Sequence, residues 1–84
     1  MRLDKYLKVS RLIKRRTVAN EACDSSRVSV NGKLVKPSYD VKIGDSITIA
    51  FGSKEVTVRV LDIKETTKKT EAVGMYEVIS ESNT

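Results

Sequence analysis

"RVSVNGKLVKPSYDVKIGDSI", residues 27–47, decides the fold of this 84-residue chain. Val28 and Val30 alternate with polar neighbours up to Asn31-Gly32, the dipeptide favoured where a two-residue hairpin turn needs positive φ twice. Pairing across that turn sets Val30 against Lys33, Ser29 against Leu34 and Val28 against Val35. Pro37 and Gly44-Asp45 then break the alternation, so residues 36–46 read as an ordered loop leading into the next strand.

Toward the C-terminus, "SITIAFGSKEVTVRV" (46–60) repeats the period of two around Gly52-Ser53. It predicts a second hairpin with Ile47, Ile49 and Phe51 on the core face beside Val56 and Val58. Thr48, Thr57, Ala50 and Glu55 share the other face. After Val60 the alternation shifts to Leu61 and Ile63, which marks a local irregularity such as a bulge. "ETTKKTEAVG" (65–74) is a polar connector and "MYEVI" (75–79) the closing strand. The polar "SESNT" should fray, with residues 81–84 as a tail.

Toward the N-terminus the period becomes helical. Leu3, Tyr6 and Leu7 share a face, with Asp4 in the first turn, and predict a helix over about 3–9. Thr17 is placed to cap a second helix whose Val18, Ala19, Ala22 and Cys23 form a narrow buried stripe. The fold class is therefore α+β: two short N-terminal helices packed on a small, mostly antiparallel sheet of about five strands. Residues 1–80 make one domain, with a helical part (1–27) and strands (28–79).

Composition narrows the function. Aromatic residues are only 5% of the chain, and with Phe51 in the core a base-stacking surface is not expected. No apolar run approaches the roughly 18 residues of a membrane span, and Asp4, Lys5 and Lys8 interrupt any signal peptide, so a cytoplasmic protein with no membrane partner is expected. There is no His, no Gly-rich phosphate loop and no nucleophile motif, hence no catalytic residue, metal or cofactor is assigned. The single Cys23 reads as a small buried hydrophobe.

Charge is the informative feature. Residues 1–36 hold ten Lys and Arg against three Asp and Glu, whereas residues 37–84 hold six against eight. "MRLDKYLKVSRLIKRRT" (1–17) sets Arg2, Lys5, Lys8, Arg11, Lys14, Arg15 and Arg16 against Asp4 alone. A solvated helix face would mix signs, so the cluster points to a polyanion. On a continuous helix, positions 4, 8, 11 and 15 would form one stripe able to track phosphates. Arg15 and Arg16 also sit just before the second helix, where guanidinium forks suit phosphate. That helix exposes Asn20, Glu21 and Asp24, which argues against reading DNA bases with it. What survives is recognition of folded RNA by shape and backbone.

"RLDKYL" (2–7), Ala19 and the 27–47 segment together resemble the small RNA-binding domain named after ribosomal small-subunit protein four. Two positions depart from that family: Arg15-Arg16 replaces its frequent Ser-Arg, and Ser26 stands where Gly is common before the strand. "SRLIKRRT" (10–17) and "TTKK...EA..MY" (66–76) extend the resemblance to stand-alone members of bacterial ribosome-associated quality control. It implies a monomeric factor that binds large-subunit ribosomal RNA and peptidyl-tRNA on the free large subunit and supports alanine tailing by RqcH. Ribosome assembly or regulatory RNA binding is the alternative. The expected RNA-binding residues are Arg2, Asp4, Lys5, Lys8, Arg11, Lys14, Arg15 and Arg16. Three roles stay open for Asp4: orienting a neighbouring Arg, accepting from an RNA hydroxyl, or simply starting the helix.

Overall fold

The computed structural model describes residues 1–65, 68 and 72–83. Helix α1 (Leu3–Val9) and helix α2 (Arg16–Asp24) precede strands β1 (Val28–Val30), β2 (Lys33–Leu34), β3 (Ser46–Phe51) and β4 (Lys54–Val60). A short 3-10 turn at Val73–Met75 leads into β5 (Tyr76–Asn83). The strands form one antiparallel sheet in the order β2-β1-β3-β4-β5. This is the α+β arrangement expected from the sequence. Residues 66, 67 and 69–71 of the expected polar connector, and Thr84, lie outside the described residues.

Asn31 (φ 52°) and Gly32 (φ 84°) both take the left-handed conformation that the tight hairpin demands. Ser29 pairs with Leu34 and Val30 with Lys33. The expected Val28–Val35 pair falls beyond β2, which stops at Leu34 as the chain turns toward Pro37. Asn31 also ties the hairpin to the following loop: its Nδ2 donates to Asp45 at 3.1 Å, and its Oδ1 accepts the Ser46 amide at 3.0 Å. The other oxygen of the buried Asp45 accepts the Tyr39 hydroxyl at 2.9 Å and the Lys42 amide at 3.0 Å. Loop 36–46 is thus organised around one carboxylate.

The same loop starts α1. That helix has no side-chain cap; instead the Leu3 amide donates to the Tyr39 carbonyl at 2.8 Å and the Asp4 amide to the Pro37 carbonyl at 3.1 Å. Two of the donors a helix start leaves orphaned are satisfied this way.

Leu3, Tyr6 and Leu7 of α1, with Ala19, Ala22 and Cys23 of α2, cover Val28, Val30, Ile47, Ile49, Val56, Val58 and Val60. Ile47 opposes Val58 and Ile49 opposes Val56, as the alternation predicts. Thr48 and Thr57 meet on the other face with hydroxyl oxygens 2.9 Å apart. Burial, followed by the charges of Asp4 and Asp24, pushes the Cys23 thiol up to about 11, so it behaves as the small hydrophobe expected.

Several expectations are corrected. The expected helix over about 3–9 is the one observed, but the continuous helix that would align the cations does not form: α1 ends at Val9, Ser10 caps it and Arg11 turns left-handed at φ 65°. The stripe of positions 4, 8, 11 and 15 is therefore broken. Thr17 caps nothing, because α2 begins one residue earlier, with Arg15 as its extended cap residue and no side-chain cap bond. Val18 and Phe51 are 47% and 41% exposed rather than in the core; alternation gives a residue its face but not a neighbour to cover it. The frayed tail is also overturned: Glu81, Ser82 and Asn83 pair with Val56, Glu55 and Lys54. An edge strand facing solvent tolerates polar residues, and it supplies the partners that the outer side of β4 needs. The irregularity in this region lies in β5, where Thr57 pairs with Ser80 and Val58 with Val78, leaving Ile79 as the extra residue.

Ser26 completes the end of α2. Its amide donates to Cys23 at 3.2 Å, the Arg27 amide reaches back to Ala22 at 2.9 Å, and Ser26 itself sits at φ 60°. That is the geometry in which Gly is usual, since a side chain there costs roughly 1 kcal/mol. Ser26→Gly is expected to stabilise the fold by about 0.5–1 kcal/mol, raising the melting midpoint by several degrees. An unchanged or lower midpoint in a thermal melt would remove the strained-turn explanation.

Candidate nucleic-acid interface

Asp4 is the centre of the cationic half. It lies in the first turn of α1, where its side chain is 2% exposed, yet four donors converge on it. Arg2, extended just before the helix, donates Nε to Oδ1 at 3.2 Å and Nη2 to Oδ2 at 3.3 Å, a two-pronged contact. Asn20 on α2 donates Nδ2 to Oδ2 at 3.2 Å, and the Lys5 amide donates to Oδ1 at 2.8 Å. Arg16, the first residue of α2, brings its Nη2 to 3.5 Å from Oδ1. The carboxylate thus joins the two helix starts.

Burial pushes the Asp4 carboxyl up, but the hydrogen bonds from Asn20, Arg2 and the Lys5 amide, with the Arg16 charge, more than offset it. The net pKa lies below the ordinary 3.8. At neutral pH Asp4 is ionised and holds two guanidinium groups whose like charges would otherwise drive them apart. Each is about half exposed, 51% for Arg2 and 48% for Arg16. With one part of each guanidinium held on Asp4 and about half of each side chain in solvent, the arrangement is able to grip anionic oxygens at a lower ordering cost.

The other expected residues divide into distinct settings. Lys5 pairs with Glu65 from the segment after β4. Lys8 stands exposed in the last turn of α1, and Arg11 occupies the left-handed turn that ends it. Lys14 and Arg15 are exposed in the connector and at the start of α2, with no ion pair among the described residues. The structure therefore brings Arg2, Asp4 and Arg16 together and spreads Lys8, Arg11, Lys14 and Arg15 around them. Of the roles open for Asp4, orienting neighbouring arginines is the one its contacts match, alongside a helix-start position.

Asn20 was expected on the exposed face and is instead half-buried against Asp4. Its signal was available: Asn20 lies four residues after Arg16 and so on the same face of α2. Arg27 was not singled out by sequence either. With Lys14 it flanks an open cleft of about 430 Å³ lined by Leu12, Ile13, Val18, Ile49 and Phe51.

Comparison with known proteins agrees with this architecture. The S4 domain model matches residues 1–47, which carry both helices and the first hairpin. An RQC P-site tRNA stabilizing factor from Streptococcus pneumoniae is 60% identical, covering 98% of this chain and 93% of its own length. The factor of the same name from Bacillus subtilis is 59% identical over 96% of this chain and 94% of its own. Among solved structures, a trimeric heat shock protein 15 from Vibrio cholerae matches with a TM-score of 0.88 at 33% identity, over 95% of this chain and 82% of that one. With helices, hairpin and Asp4-centred pair in place, the chain belongs to the S4-domain family, among the RQC P-site tRNA stabilizing factors.

Proposed function

We propose that this chain is an RNA-binding factor of bacterial ribosome-associated quality control. It binds large-subunit ribosomal RNA and peptidyl-tRNA together on the free large subunit, steadies the tRNA in the P site, and so supports addition of C-terminal alanine by RqcH. The observation that carries the reading is the Arg2–Asp4–Arg16 arrangement, in which two half-exposed guanidinium groups are fixed on one buried carboxylate. The names borne by relatives sharing up to 60% of residues support the same step. The task is binding and release, so it requires no reaction and no cofactor. The proposed setting is the bacterial cytoplasm and the proposed working form a monomer.

RNA binding should weaken steeply with salt, because the clustered cations displace several counterions; a log–log slope of very roughly −3 to −6 is expected. Titration of a structured RNA across a salt series reads it, and a flat profile would sink the electrostatic basis. Gradient sedimentation of cells with stalled translation tests the step. The protein should travel with free large subunits that retain peptidyl-tRNA. Recovery on immature particles alone would make it an assembly factor instead.

A further inference from the structure

Phe51 closes β3 beside the Gly52 turn, and its ring forms part of the cleft between the α1–α2 connector, α2 and the sheet. Leu12 and Val18 supply apolar walls, and Ile49, almost fully buried, supplies the floor. Among the described residues, the charged ones that line it are Lys14 and Arg27, and no carboxylate does. Neither cation is engaged in an ion pair among the described residues. An apolar slot with a partly exposed ring and cations beside it matches a nucleotide, which carries a flat base and an anionic phosphate in one unit. An acidic amphipathic helix would also satisfy the charge, but it needs a long groove with anchors at successive turns. This cleft, at about 430 Å³, offers one aromatic among the described residues and room for one flat group.

We infer that the cleft receives a single unpaired nucleobase stacked on Phe51 against Val18, with the flanking phosphates held by Lys14 and Arg27. The inference rests on the RNA-binding reading and deepens it. The Arg2–Asp4–Arg16 pair grips backbone whatever the sequence, while the cleft gives preference for RNA with an extruded base next to a helix.

The test uses the full chain and two RNAs with the same stem, one fully paired and one carrying a single bulged 2-aminopurine. Wild type should bind the bulged RNA more tightly and change the 2-aminopurine fluorescence. Phe51→Ala should weaken bulged-RNA binding by about tenfold while leaving paired-RNA binding within about twofold, since stacking acts only on the unpaired base. Phe51→Tyr should behave as wild type. Val18→Gln, on an exposed helix position, should shift binding in the same direction as Phe51→Ala and guards against a folding artefact at the strand end. Equal wild-type affinity for the two RNAs, or equal loss on both from Phe51→Ala, would overturn the base site. So would displacement of the bulged RNA's fluorescence change by a leucine-containing acidic helix that leaves paired-RNA binding intact, which would make the cleft a peptide site. Failure of wild type to bind either RNA would instead bring down the RNA-binding reading beneath it.

Discussion

Asp4→Ala is expected to weaken RNA binding even though it makes the protein more positive. A count of charges predicts the opposite, since removing the only carboxylate in residues 1–17 raises the local field. The geometry decides otherwise: Arg2, Arg16 and Asn20 all hold their positions through that side chain. Without it, two guanidinium groups repel and disperse, and each must be ordered again on binding. Stability should fall by about 1–3 kcal/mol, less than for a fully buried pair because both arginines reach water. The pH dependence follows from the lowered carboxyl pKa. The contribution is complete above the unfolded value near 3.8 and is lost as pH falls below it through the folded value. The difference in melting between wild type and Asp4→Asn should therefore be constant from pH 7 to about pH 5 and narrow as pH falls below 3.8. Tighter RNA binding by Asp4→Ala than by wild type would show that charge number, and not fixed orientation, governs this face.

Arg16→Glu carries the largest expected functional effect. Arg16→Ala removes one half-exposed fork and should lower large-subunit association about tenfold, with little change in melting, since half of the side chain already lies in water. Arg16→Glu sets a second carboxylate against Asp4 and against phosphate, and should cost about tenfold more. Alanine tailing of stalled chains should decline in the same order. Arg59→Ala, an exposed cation on the strand β4 that pairs with Ser46 and Glu77, serves as control. Wild-type sedimentation of Arg16→Glu would refute the assignment of the face. Normal sedimentation with lost tailing would move Arg16 from docking to a later step.

Both hairpins were legible because each wrote its answer locally: Asn31-Gly32 names its turn, and Ile47, Ile49, Val56 and Val58 name their face. The end of α1 was legible as well, since Leu3, Tyr6 and Leu7 predict a helix over about 3–9; the left-handed turn at Arg11 was not, with neither Gly nor Pro to announce it, so the cations could still be drawn as one stripe on a continuous helix. The Asp4 network was half visible. Its members were all in the basic cluster or one helical turn from Arg16, but their meeting point depends on how α1 crosses α2. The end of β5 was hidden for a different reason: an edge strand at the surface needs no apolar alternation, so "SESN" carries a tail's composition while pairing as a strand. Phe51 shows the limit of a period-two argument, which assigns a side and stays silent about what stands opposite.

The carbonyls of Pro37 and Tyr39 that receive the first amides of α1 have a bearing on how the protein acquires its shape. A helix of seven residues has too few internal bonds to persist in water by itself. α1 therefore condenses only when the chain beyond the first hairpin has come back to meet it, and both elements appear in the same cooperative event. A peptide excised as residues 1–27 would keep every cation of the cluster and lose their arrangement. The gripping face is a property of the folded domain, available only after the ribosome has released the chain at least through Tyr39.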